Sequence, residues 1–238
     1  YFRTWTGGGY SGYRSVSRTT SKDFINWTIP TKMNFGDTPS EHLYTNQTHP
    51  YFRAPHIYVG IAARFMPGRR ILSKDEAKII GVNPSYFNDC SDVVILSSRG
   101  GNSYKRKFME SFLRPGIGLE NWVSRSNYPA LNIVQTSSNE MSFYVNQNYA
   151  QSSSCIHRYS LRIDGISSIY AGFRKGTVIT KPFIFKGKQL HMNYSTSAAG
   201  GIKVSILDNS KSPYKSFDID NAIESIGNYI DRIIKWKN

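Results

Sequence analysis

Apolar positions fall at every second residue through the C-terminal half of the chain. Tyr159, Leu161 and Ile163 face one way while Ser160, Arg162 and Asp164 face the other. Leu190, Met192 and Tyr194 repeat the alternation, and so do Ile202, Val204 and Ile206. Asp164-Gly165, Lys186-Gly187-Lys188 and Gly200-Gly201 stand between these runs as turns. The pattern predicts a half-buried antiparallel sheet. Ile223, Ile226, Ile230 and Ile233 recur at helical spacing, but Gly227-Asn228 interrupts them and Ile234-Lys235-Trp236 reads as a strand. That segment stays open between the two forms.

The N-terminal half has a different texture. Short apolar runs such as Val93-Val94-Ile95-Leu96 predict buried strands, separated by long loops dense in His, Arg, Tyr, Asn and Pro, as from Thr38 to Arg70. One helix is signalled: Ser73 and Glu76 have capping-box spacing, Ala77 to Ile80 continue it, and Gly81 sits where a C-terminal cap belongs. Between residues 130 and 140 the chain turns polar before the Met141–Val145 strand, which places a domain boundary there. Aromatic residues make up 14% of the 238 positions, and Gly, Ser, Thr and Asn are abundant. Many short strands with polar turns follow, so the expected class is all-β.

Charge and cysteine content narrow the partners. A net charge of +14, from 30 Lys and Arg against 16 Asp and Glu, points to an anionic partner. The basic residues are spread along the chain with no nucleic-acid motif, so nucleic acid is not the expected one. No run approaches the roughly 20 apolar residues that span a membrane. Cys90 and Cys155 are too few for a disulfide framework and read as free thiols. His42, His49 and His56 recur every seven residues, a spacing that matches no helical ligand pair, so no metal or other cofactor is expected. No Gly-x-Ser-x-Gly elbow and no phosphate-cradling loop is present.

Three segments carry a resemblance. Ser21 to Trp27, with Asp23, Asn26 and Trp27, resembles the blade-closing hairpin of glycosidase β-propellers, where the Asp ties the turn and the Trp packs between blades. Arg53-Ala54-Pro55-His56-Ile57-Tyr58 looks like the Glu-x-Pro-His-Ile/Leu-Tyr segment of arabinanase and xylosidase propellers and the Glu-Cys-Pro segment of invertases. In those families the leading Glu is the general acid; here that position is Arg53. Glu41 to Asn46 and Arg114 to Trp122 are similar to segments of bacterial glycosyl-hydrolase-like or sialidase-like proteins, five-bladed β-propellers with a C-terminal β-sandwich. The resemblance implies a partial, C-terminal portion of a five-bladed propeller over residues 1–135, then an antiparallel, jelly-roll-like β-sandwich over 136–238. It also implies a chain cut at both ends, whose missing N-terminal half or a second chain completes the propeller, and a secreted, periplasmic or cell-surface location.

Glycoside hydrolysis uses two carboxylates, about 5 to 5.5 Å apart for retention and about 6.5 to 9.5 Å apart for inversion. The acids in the loop-rich half are Glu41, Asp89, Asp92, Glu110 and Glu120. Glu110 lies in sequence among Phe108, Met109 and Phe112, a setting for a proton donor, and reads equally as the partner of Arg99 or Arg114 in an ion pair. Glu41, Asp89 or Asp92 would supply the second carboxylate. Arg53, Arg99, Arg114, His42 and His56 are candidates for substrate binding, with Tyr44 and Trp122 to stack on sugar faces. The expected function is hydrolysis of an oligo- or polysaccharide, sulfated or carboxylated. The alternative is a glycan-binding or structural surface protein without catalysis, which Arg53 in the place of the acid favours.

Overall fold

The computed structural model describes residues 1–237. The protein is all-β: among the described residues there are separate antiparallel sheets, none closed into a barrel, with one short α-helix. Among the described residues, no helix is long and apolar enough to cross a membrane. The chain divides into two compact units, one of Tyr1–Thr136 and Met141–Ser160, the other of Ser137–Glu140 and the chain from Leu161 onward.

In the first unit, β1 (Phe2–Trp5), β2 (Arg14–Arg18) and β3 (Thr31–Lys32) form a three-stranded sheet in that order. The turn after β2 is tied by Asp23, whose Oδ1 accepts from the main-chain N–H groups of Ile25 (2.9 Å) and Asn26 (2.8 Å). Trp27 is half-exposed and meets Phe24 edge-on, so it closes its own turn.

Next come β4 (His42–Thr45), β5 (Thr48–Tyr51) and the long β6 (Ala54–Met66). Val59 to Ala63 of β6 are buried in succession, as in a strand covered on both faces. β5 and then β4 pair along one edge of β6. β7 (Cys90–Ser98) pairs along the other, in unbroken register from Tyr58↔Ser98 to Met66↔Cys90. Val16, Met33, Leu43, Ala62, Val94, Leu96 and Tyr104 form one core between the two sheets.

Gly60 lies where β6 passes close to Asn46 and Thr48. A Cβ there would stand 2.8 Å from Thr48 Oγ1 and 3.0 Å from the Asn46 carbonyl oxygen. Gly60→Val is therefore expected to destabilise the first unit by about 1–3 kcal/mol through overpacking. A urea midpoint equal to wild type would show that the strand has room the geometry denies.

The helix forms where its caps predict. α1 (Lys74–Ile79) begins with a complete capping box, Glu76 N–H to Ser73 Oγ and Ser73 N–H to Glu76 Oε2, and Gly81 follows with φ of 67°. Ala77 packs with Leu72, Val82, Phe87 and Val123 in a second core, flanked by Trp122. A further sheet holds β8 (Tyr128–Pro129), β9 (Val134–Gln135), β10 (Glu140–Gln147) and β11 (Cys155–Arg162), with β10 in the centre. Cys90 and Cys155 are free thiols.

The second unit is built on the pair β12 (His191–Ser195) and β13 (Asn228–Ile233). Ile163, Tyr194, Ala222 and Ile234 are buried there. The open segment resolves as strand, since β13 covers Ile230 and Ile233, and Gly227 with φ of 117° breaks any helix before it. Trp236 makes only a single bridge, to Ala222. The alternation at Ile202, Val204 and Ile206 does not become a strand. Ile202 bridges Ser225, the Trp236 indole N–H donates to the Val204 carbonyl at 2.9 Å, and the Ile206 carbonyl accepts from Tyr214. With the Phe217 carbonyl accepting the Ile206 N–H, four different partners take the backbone groups that a ladder would need. Lys186-Gly187-Lys188 likewise joins no strands, because residues 166–189 run without any.

Candidate functional site

Two of the candidate acids meet on one guanidinium. Arg64 on β6 and Asp92 on β7 are directly paired across the strands. The Arg64 Nε and Nη2 donate to Asp92 Oδ1 and Oδ2 at 2.9 and 2.6 Å, a bidentate fork. Arg64 Nη1 donates to Glu41 Oε1 at 2.8 Å and to the Met109 carbonyl at 3.0 Å. Arg106, buried at 1% side-chain exposure, donates to Glu41 Oε2 at 3.2 Å and also holds the Phe108 and Met109 carbonyls. The hydrogen bonds that Arg64 donates to Asp92 lift its pKa above the ordinary value, against burial, with help from Glu41. Two acids and two guanidiniums thus balance, and Arg64 fills the space between Glu41 and Asp92.

The other acids stand elsewhere. Asp89 Oδ1 accepts from the Gly68 N–H at 2.7 Å and closes the turn after β6. Glu110 is exposed, as is its neighbour Phe108, because the carbonyls of Phe108 and Met109 are turned inward to the arginines. The apolar setting read from adjacency is not formed, and Glu110 makes no ion pair with Arg99 or Arg114, both exposed.

A different group of side chains gathers around Tyr44 on β4. The guanidiniums of Arg3 on β1, Arg14 on β2 and Arg125 lie 4.8, 5.1 and 5.9 Å from its ring centroid. Arg14 also stacks on Trp5 at 4.6 Å and Phe65 at 4.7 Å. Arg125 reaches the hydroxyls of Tyr86 at 3.1 Å and Tyr149 at 3.4 Å. None of the three arginines forms an ion pair with a carboxylate among the described residues. Burial, and then the charge of Arg3, hold Arg14 below its ordinary pKa, while Asp89 is the weakest influence on it. For Arg125 burial pulls downward, but the Tyr149 hydrogen bond and the tyrosines around it raise it overall. The Arg14 Nε and the Tyr128 hydroxyl, which lies 5.1 Å ring to ring from Tyr44, are buried without a hydrogen-bond partner. The cluster therefore holds an excess of positive charge and of donors, framed by aromatic faces.

His42 belongs to this cluster. Its ring lies 4.9 Å from Tyr13 and 6.0 Å from Phe65, and Nδ1 accepts the Arg14 main-chain N–H at 3.1 Å. Burial, and then the Arg14 charge, hold its pKa below the ordinary 6.5. The unfolded chain thus takes up this proton first as pH falls. The stability contributed by neutral His42 is full above pH 6.5 and is lost as the pH drops through the lower folded value. His42→Asn keeps an acceptor without titrating. It is expected to flatten the acid-side fall of stability seen in urea titrations below pH 6.5, and a slope identical to wild type would remove His42 as its source.

The remaining candidates are scattered. Arg53 sits in the turn between β5 and β6, His56 is exposed on β6, and Arg99 lies in the turn after β7. Trp122 donates to the Gly116 carbonyl and packs on the helix core. His49 is buried, with Nδ1 against the Gln47 carbonyl and Nε2 accepting from Ile133. The sequence reading reached Tyr44 and His42 but missed Arg3, Arg14 and Arg125. One signal was present: Arg14 shares a strand face with the apolar Val16, which is buried. No family model, no curated protein and no solved structure matches the chain.

Proposed function

We propose that the chain recognises an acidic glycan through the cluster around Tyr44 and does not cleave it. The observation that carries this reading is the convergence of Arg3, Arg14 and Arg125 on one aromatic ring, none of them in an ion pair among the described residues. Guanidiniums pair with carboxylate or sulfate through a planar fork, and aromatic faces stack on the CH faces of sugar rings. Hydrolysis has weaker support. Glu41 and Asp92 are held by Arg64, and Arg53 stands where the resembled propellers carry their acid. The antiparallel sheets suit a propeller portion followed by a sandwich, the architecture of the resembled family, and a secreted or cell-surface protein would meet such a ligand.

Calorimetric titration with oligosaccharides of equal length, neutral, uronate-bearing and sulfated, tests the reading, with reducing-end release followed in the same samples. Tighter binding of an acidic oligosaccharide with no release of reducing ends is expected. Release at a catalytic rate would restore the hydrolase reading. Preference for a single-stranded oligonucleotide over both acidic sugars would replace the glycan by nucleic acid.

A further inference from the structure

Residues 166–188 form no hydrogen bond and no ion pair among the described residues, and 167–189 are exposed throughout. Folded chains average about one intramolecular hydrogen bond per residue, so this run is unusual for its length. Its composition is not that of a loop. Val178-Ile179-Thr180 and Phe183-Ile184-Phe185 are β-branched and aromatic, the types that fit a pleated sheet. Phe173 and Ile184 are fully exposed, and Tyr170, Phe183 and Phe185 are largely so. Soluble proteins seldom leave contiguous apolar stretches in water without a use for them. Arg174, Lys175, Lys181, Lys186 and Lys188 lie in the same run, which contains no acidic residue.

We propose that this run becomes a strand by pairing with an extended acidic segment. Charge decides between occupants. A second copy would bring lysines against lysines, and like charges opposite one another destabilise a strand pair. An anionic bilayer would neutralise the lysines but leave the main-chain N–H and C=O groups without partners. An extended peptide with acidic side chains among apolar ones satisfies backbone, apolar surface and charge together. Pro182 lacks an N–H, and pairing along one edge accommodates it.

Hydrogen–deuterium exchange on the full chain tests this with a synthetic peptide alternating Glu and Val. Exchange at residues 177–185 is expected to slow, and a peptide alternating Lys and Val, or the Glu–Val peptide with alternate amides N-methylated, is expected to leave it fast. In the double variant Lys181→Glu with Lys186→Glu, affinity for the Glu–Val peptide should fall by about tenfold. Unchanged exchange with the Glu–Val peptide, or equal protection by its N-methylated form, would overturn the proposal. Protection that rises with protein concentration alone would assign the run to a second copy instead. Protection by phosphatidylserine vesicles but not by the peptide would assign it to a membrane.

Discussion

Arg64→Met is expected to cost the first unit about 3–5 kcal/mol, the penalty typical of a buried pair broken from one side. The loss comes from what remains. Asp92 loses both arms of its fork, Glu41 keeps only Arg106, and the Met109 carbonyl loses a donor. All of these groups stand mostly out of water, with side-chain exposures of 16% for Glu41 and Asp92. Replacing Asp92 as well removes the unpaired charge while Glu41 still neutralises Arg106, so the double variant Arg64→Met, Asp92→Asn should recover much of the stability. Because the folded pKa of Arg64 is raised above its ordinary value, its contribution is fully present at neutral pH and is lost only in strong alkali. Urea denaturation measures each variant. A single variant within about 0.5 kcal/mol of wild type, the range of ordinary surface substitutions, would mean that the network does not hold β6, β7 and the segment before β4 together.

The second large effect is on binding. Arg14→Ala is expected to weaken an acidic oligosaccharide by about 10- to 100-fold, the equivalent of one charge-assisted hydrogen bond. Arg14 is the best placed of the three cations, since Trp5, Tyr44 and Phe65 fix its guanidinium from several sides and little rotamer freedom remains to lose. Arg3 is exposed, so its charge is screened by solvent and Arg3→Ala should cost less. Arg125 falls between them, held by two tyrosine hydroxyls. The same order should appear in the salt dependence of binding. Equal losses at all three positions would point to diffuse attraction by net charge instead of a shaped site.

What could be read from the sequence was local. The capping box at Ser73 and Glu76 and the left-handed Gly81 follow from neighbours three to five residues apart, and the helix formed there. The apolar run from Val93 to Leu96 became the buried strand β7, because a continuous apolar run needs cover on both faces whatever its partner. The alternation at Ile202 to Ile206 failed because a strand needs an aligned neighbour, and its backbone groups found Ser225, Tyr214 and Trp236 separately. Glu110 was misread for a related reason: in an irregular segment, adjacency to Phe108 and Phe112 does not mean contact with them. Arg64 carried a usable sign, a charge set inside the apolar run from Val59 to Phe65, which obliges a buried partner. Tyr44 was visible as an aromatic in a loaded loop. Its cations were not, since Arg3, Tyr44 and Arg125 are far apart in sequence and are brought together only by packing of the sheets.

The most direct measurement pairs one sugar in two forms with one arginine in two forms. An oligouronate and its methyl-esterified, uncharged counterpart are titrated calorimetrically into wild type and Arg14→Ala, with circular dichroism to establish that the variant is folded. In the expected result, wild type prefers the acid by at least about tenfold, and the preference largely disappears in Arg14→Ala, so that the two changes are coupled. An acid preference that survives undiminished in folded Arg14→Ala would place the anion elsewhere and contradict the assignment of the site around Tyr44.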